Sequence, residues 1–483
     1  LETSLDSSVS SEETTNVAEL VVAEPATVQT MAEALPVRWN PFNRILFRIA
    51  FIYFFIFCFM YGNGSIFSVF PFVGQYLDKW MTWPFHQAAL WVGHRYFHLS
   101  GLFGTFHPTG SGDTALDWVL QLLYASTAVV GGLAWTAISG LWGIRGNRRV
   151  EYSILYAWLR FAVRMSVGFF MLTYGFAKVF PLQMAPVSIG ILNEPVGQMS
   201  PQTMLWAMLG LNPLYEIVCG AAEVLGGVLL LFRRTALAGT LLSAFVMTNV
   251  LLYNMFFDVP VKLFAANLLL AELFLILPDA KSLFGYFWLH TPSAPGGVWV
   301  PPLKRKGFRI ATLTVEIVLC VGFLGLLPFG LNQRWQQVRA ANAATSPLLG
   351  AWHVDAAHPA TGAFITGEGL PTTDLYVDTV IRAFRRSSNL QLWRTTLKID
   401  DKAHTIRIGY FGGSFFVYAY QMPDANHLVL VSQPPKADPQ TKLDPKAKPF
   451  VSDTVTLTRT PIPAHYPLLD RGFHWVNEWG FER

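Results

Sequence analysis

Seven blocks of about twenty apolar residues constrain this chain most, because that is the length a helix needs to cross the hydrocarbon core of a bilayer. They fall at about residues 44–61, 117–144, 152–180, 214–232, 236–257, 261–277 and 310–329. In hydrocarbon every backbone polar group has to be bonded within the protein, which leaves helices and closed barrels as spanning structures. Only 14% of the residues are charged, against about 25% in ordinary soluble proteins, so the apolar excess needs lipid around it. The expected fold is a membrane α-helical bundle of about seven transmembrane helices. A net charge of +4 gives no support to a nucleic-acid partner. Cys58, Cys219 and Cys320 lie far apart inside apolar blocks, which supports neither a disulfide scaffold nor a zinc knuckle.

Basic residues orient such a bundle, since Lys and Arg collect in short cytoplasmic loops. Arg38, Arg44 and Arg48 precede or open the first block, and Arg145, Arg148 and Arg149 follow the second. Arg233 and Arg234 follow the fourth, and Lys304, Arg305, Lys306 and Arg309 precede the seventh. With seven crossings all four clusters share one side. The expectation is a bacterial inner-membrane protein with a cytoplasmic amino terminus and an outer carboxy-terminal domain. Residues 1–37 carry no Lys or Arg and no apolar core, and read as a disordered acidic tail.

The transmembrane domain is expected over 38–330. Within it, 62–116 mixes Trp, Phe and Leu with Lys, His and Arg, which suits a helix lying in the outer interface. On the inner side, "KSLFGYFWLH" reads as an interfacial turn ahead of a Pro-rich linker.

Past the seventh block the period changes from helical to alternating. "HTIRIGYFGGSFFVYAYQM" reads as a hairpin around Gly412 and Gly413, and "LWRTTLKID", "HLVLVSQ" and "DTVTLTRT" continue the pattern. This predicts a small extracytoplasmic all-β domain at 347–460, of meander or barrel type. Its opening "GAWHVD" is similar to the Gly-x-Trp strand that begins lipocalin-like barrels. Trp352, Tyr410, Phe411, Phe415, Phe416, Tyr418 and Tyr420 either fill its core or line a cavity. Residues 461–483 read as an amphipathic tail, with Trp475 and Trp479 beside Arg471 and Glu478.

The third block, "LRFAVRMSVGFFMLTYGFAKVF", and the fourth, "EIVCGAAEVLGGVLLLFRR", carry a family likeness. Arg164, Gly175, Lys178, Glu223, Gly226 and Gly227 together resemble the DoxX family of integral membrane proteins. The closing "DRGFHWVNEWGFER" and "GSGDT" are similar to segments of long DoxX-like chains. The resemblance implies a four-helix core at 152–280, a setting near the quinone pool, and partners among membrane or redox subunits. It names no reaction, and the extra spans and β domain depart from the short family members.

Ionisable groups inside spans usually face the bundle interior. Lys178, Glu216, Tyr253, Asp258 and Lys262 are expected at similar depth near the outer interface. There they either form a ligand-binding ring for a quinone carbonyl or an anionic head group, or pair and lock the helices in register. Arg164 and Glu223 are deeper, and read either as a buried pair across a close contact at Gly226 and Gly227 or as a proton relay. Asn249, Asn254, Asn267 and Glu272 are further polar positions in the spans.

His94 and His98 stand four apart, a spacing that can hold one metal from a single helix, with His86 and His107 nearby. No Glu lies between them, so the zinc-hydrolase pattern is missing, and contact with lipid head groups is the competing reading. "GSGDT" lacks the Lys of a phosphate loop. Thr114 and Asp117 fit a capping box for the second block, Asp113 or Ser111 can cap instead, and Gly110 and Gly112 allow a tight turn. His107 and Asp113 otherwise face the outer cleft.

Three functional classes follow: a quinone-associated or accessory subunit of a membrane redox complex, a binder or carrier of lipid or another apolar ligand, and a structural subunit whose outer domain docks a larger assembly. The lack of paired cysteines argues against dithiol exchange by this chain alone. Whether it catalyses a reaction stays open.

Overall fold

In chain order the helices are α1 Pro41–Met60, α2 Gly74–Tyr96, α3 Ala115–Gly143, α4 Ser153–Val179, α5 Ile189–Leu192, α6 Pro201–Gly210 and α7 Pro213–Leu231. They continue as α8 Ala236–Phe256, α9 Lys262–Ile276, α10 Ala280–Phe287, α11 Lys306–Val321, α12 Leu327–Ala343 and, after the β domain, α13 Pro467–Asp470. The computed structural model describes residues 39–61, 74–106, 110–143, 152–292, 306–358, 364–365, 369–409, 415–434 and 452–470. The acidic tail, Arg38, Arg145, Arg148, Arg149, Lys304, Arg305, His107, Tyr410, Phe411, Gly412, Gly413 and the final 471–483 lie outside them. Among the described residues seven helical stretches are long and apolar enough to span a bilayer.

Local chemistry sets the helix starts. Asn40, Ser200 and Asn212 each accept a backbone N–H of the following turn, and each is followed by Pro at the first helical position. That is the residue order which satisfies an orphan donor and fixes the backbone for helix entry. Arg48, one of the orienting basic residues, turns inward. It donates to the Tyr152 hydroxyl at 2.9 Å and Thr136 at 2.8 Å, with its guanidinium over the Trp135 and Tyr152 rings. On α2, Tyr76, Trp80, Trp83, Trp91 and Tyr96 are exposed; on and just after α10, Phe284, Tyr286, Phe287 and Trp288 are. Exposed aromatic groups of this kind suit the two interfaces of a membrane.

The "GSGDT" stretch ties two helices together. Thr114 and Asp117 cap α3 reciprocally, the Thr114 N–H donating to Asp117 at 2.9 Å and the Asp117 N–H to Thr114 at 3.2 Å. Asp113 caps a different helix. Its carboxylate accepts the N–H groups of Lys262 and Leu263 at 2.7 and 2.9 Å, the first turn of α9, while the Gly112 N–H donates to Pro260. Asp113→Ala is therefore expected to lower stability by about 0.5–2 kcal/mol, the worth of an N-cap, read as a lower melting temperature in detergent. An unchanged melt would show that the cap is idle.

The last span is one rod. Ile310–Ala343 runs for 34 residues through α11, a π-turn at Gly322–Leu326 and α12, well beyond the roughly 20 a bilayer requires. Its far end feeds a closed barrel of eight antiparallel strands: β1 Gly350–His358, β2 Thr372–Thr379, β3 Arg382–Ser387, β4 Leu392–Asp400, β5 Thr405–Gly409, β6 Phe415–Asp424, β7 His427–Ser432 and β8 Thr454–Thr460. Each strand pairs with the next, and β8 closes on β1. The fold class is thus a helical membrane bundle with a carboxy-terminal β-barrel.

Side chains fill the barrel. Trp352, Leu375, Val377, Ile406, Tyr418 and Leu430 are fully buried in one cluster. Trp352 donates to the Leu348 carbonyl at 2.8 Å, and Arg459 covers its ring at 4.3 Å while bonding the carbonyls of Pro347 and Leu349. Trp352 and Tyr418 are therefore core residues, whereas Phe415 is exposed.

The barrel docks on the loop after α4. Ile189 and Ile191 of α5 pack on Ala351, Tyr376 and Phe384, and a Cβ at Gly190 would meet Phe384 at 2.9 Å. The Ile189 N–H donates to Asp378, Arg386 reaches the Asn193 carbonyl, and Asn193 donates to the Tyr466 hydroxyl. Asp374 holds Arg386 at 2.8 Å. Burial pushes the Asp374 carboxyl up, but bonds from His353, Thr373 and Arg386 outweigh it and hold the group below the usual carboxylate range.

Candidate functional site

The residues singled out on α4 and α7 meet at a glycine-lined crossing. A Cβ at Gly175 would lie 2.9 Å from the Gly220 carbonyl, and one at Gly220 would lie 2.6 Å from the Gly175 carbonyl and from the Lys178 Cβ. Two turns along, a Cβ at Gly227 would press on Leu172 and the Gly168 carbonyl. Without hydrophobic driving force between helices in lipid, this close approach of small residues supplies the packing. Beside it the Lys178 ammonium bonds both Glu223 oxygens at 2.8 Å, with both side chains buried. Glu216, on the same helix, accepts the N–H groups of Gln183 and Met184 and so fixes the chain leaving α4.

The expected Arg164–Glu223 pair is corrected by this geometry. Arg164 lies fourteen residues, about 21 Å, along α4 from Lys178, too far to share its carboxylate. It bonds instead the Leu230 and Leu231 carbonyls, the last of α7, at 3.0 Å each, where a cation meets the negative helix end. It also pairs with Glu316 of α11 at 3.3 Å, a carboxylate shared with Arg233. Glu316 is the partner that reading the third and fourth spans alone misses.

The other predicted groups take separate partners. Lys262 reaches Asp258 at 2.7 Å and Asp113 at 3.8 Å, and Tyr253 lies against Tyr215. Asn267 sits in a network with Tyr53, Tyr61 and Gln121. His94 Nε2 contacts the Gly104 carbonyl at 2.7 Å, and His98 takes a positive φ of 52° just past the end of α2. His86 stacks on Phe106, and its desolvated ring titrates below the ordinary histidine range. Glu272 stands apart: it is fully buried about 15 Å into α9 from Lys262, and neither carboxyl oxygen has a partner among the described residues.

A cleft of about 570 Å³ opens between α1, α4 and α11. Phe51, Phe55 and Phe59 form one wall, Trp158, Phe161 and Ala162 a second, and Val315, Val318 and Leu319 the third. Phe55, Trp158, Val315 and Val318 are exposed, so the cleft opens sideways toward hydrocarbon. On α11, Glu316 sits in the same turn as this lining and carries the Arg164 and Arg233 contacts.

No family model matches the chain, and no solved structure matches it. It is similar to the uncharacterized protein YwoB of Bacillus subtilis (strain 168), with 32% identity over 124 residues. The match takes in 26% of this chain and 79% of YwoB. The chain belongs to the YwoB family. That membership ties it to a relative whose name carries no activity, and YwoB is short enough that about three quarters of the present chain lies outside the match. For this member of the YwoB family the chemistry has to be read from its own residues. From the sequence the close contact is expected at Gly226 and Gly227 and Glu223 is given to Arg164, whereas the α4–α7 crossing runs through Gly168, Gly175, Gly220 and Gly227 and Glu223 pairs with Lys178. The cleft gives no signal in the sequence, because its lining reads as ordinary lipid-facing sequence.

Proposed function

We propose that this chain binds a lipid-soluble molecule with a polyprenyl or acyl chain in the cleft between α1, α4 and α11. The observation that carries the reading is the lining: five aromatic rings and no charged group around a volume typical of small-molecule sites. A polyprenyl quinone, the ligand that the DoxX resemblance implies, suits such walls, its flat ring against Trp158 and Phe161 and its tail toward lipid. In that setting the chain serves as an accessory membrane subunit beside a redox partner, with the barrel as its outer docking domain. Arg44, Arg233, Arg234 and Lys306 open or join spans at the end away from the barrel. The positive-inside rule then supports a cytoplasmic amino terminus and a barrel outside a bacterial inner membrane.

Two experiments test this. The full chain, extracted with its native lipid in polymer discs, is expected to yield one polyprenyl or acyl species in stoichiometric amount by mass spectrometry of the organic extract. Ala162→Trp and Val318→Trp, which fill the cleft from partly exposed positions, are expected to lose it. Identical extracts from filled and unfilled protein would sink the proposal. For orientation, a reporter fused after Arg483 is expected to be active only outside the cytoplasm; activity inside would invert the assignment.

A further inference from the structure

The barrel face that meets the bundle carries an arginine cluster that docking does not use up. In the β3–β4 ladder Phe384 lies opposite Arg394 and Arg382 opposite Thr396. Side chains alternate along a strand, so Arg382, Phe384 and Arg394 share one face. Phe384 covers Gly190, which places that face against the bundle. From the other side comes α12, whose Trp335 packs on Phe180 at the exit of α4 with centroids 6.3 Å apart. Its neighbour Arg334 comes near enough for its charge to act on Arg394, as the charge of Arg382 does.

Among the described residues, carboxylates offset Arg382 but not Arg334 or Arg394. Asp378 pairs with Arg382 and also accepts the Ile189 N–H, and Asp374 is engaged by Arg386, Thr373 and His353. Partial desolvation of its guanidinium, and then the two neighbouring guanidinium groups, hold Arg394 below the usual arginine range, and no acid among the described residues offsets them. Arg394 and Arg334 nonetheless stay exposed, so an anion from outside can reach both. Phe180 ends the third span, which sets the cluster at the level of lipid head groups. Guanidinium forks match phosphate oxygens two at a time, which a lone ammonium cannot do.

We propose that Arg334, Arg382 and Arg394 form a phosphate-binding notch between the last span and the barrel. The phosphate is carried either by an anionic phospholipid of the outer leaflet or by a soluble anion, and the recognition chemistry is the same. The notch is independent of the α1–α4–α11 cleft, and either assignment can fail without the other.

The test uses the full chain in neutral detergent and in phosphatidylcholine discs. Inorganic phosphate is titrated against chloride at matched ionic strength, and phosphatidylglycerol is added to the discs in a second arm. Thermal unfolding followed by tryptophan fluorescence is the readout. A saturable rise in melting temperature with phosphate assigns a soluble ligand; a rise with phosphatidylglycerol alone assigns the lipid. In either case Arg334→Gln and Arg394→Gln should weaken the apparent affinity about tenfold to a hundredfold, with Arg394→Lys between. Both arginines are exposed, so the variants should fold, and an unchanged melt without ligand checks this. No rise in either arm, or a rise undiminished in the Arg334→Gln/Arg394→Gln double variant, overturns the notch.

Discussion

Gly220→Ala is expected to destabilise the bundle by about 1–3 kcal/mol, although alanine ordinarily gains about 1 kcal/mol over glycine inside a helix. The new methyl would sit 2.6 Å from the Gly175 carbonyl and the Lys178 Cβ and 2.9 Å from the Val179 N. Two of these are backbone atoms of α4, which cannot swing aside as a side chain would. The helices must separate, and separation also stretches the buried ion pair next to them. Gly330→Ala on α12 is the control, since its methyl meets nothing within 4 Å and should raise stability. Chemical unfolding of both variants in detergent checks the contrast. Equal effects at the two positions would mean the crossing is looser than described.

The second large effect concerns Lys178 and Glu223. Removing one partner leaves the other charge buried with nothing opposite, a loss of about 3–5 kcal/mol for Lys178→Met or Glu223→Leu alone. Removing both replaces the pair by apolar volume, and the double variant is expected to recover most of that loss. A double-mutant cycle measures the coupling directly. If the two single losses simply add, the groups are not acting as a pair. Melting curves of the four proteins in one detergent suffice.

Much of the architecture is legible in the sequence. All seven apolar blocks form helices long and apolar enough to span a bilayer, and the alternating region closes as a barrel. The seventh block ends on paper at Phe329, because "LNQRWQQVRAANA" is polar and helix outside lipid has no apolar run to betray it. Strands β2 and β3 are harder still. Arg382, Arg385 and Arg386 break the apolar alternation, yet Arg385 is buried and bonded to Thr395, while the other two hold Asp378 and Asp374. Ion partners are the least legible part. Period and depth place Arg164, Lys178, Glu223 and Glu316 in spans, but which of them meet depends on the register between helices, and no single span encodes that.

The unbroken helical run from α11 through the π-turn into α12 joins the cleft directly to the barrel. Leu319 lines the cleft and Ala343 stands at the foot of the barrel, 24 residues and about 36 Å further along the same helical rod. The barrel is pinned a second time at α5, beyond the end of α4, which forms another cleft wall. Cleft and barrel therefore share two covalent connections, α11–α12 and α4 with α5 beyond it. Anything seated in the proposed cleft would touch α4 and α11 together, the two helices through which the barrel is tied to the bundle.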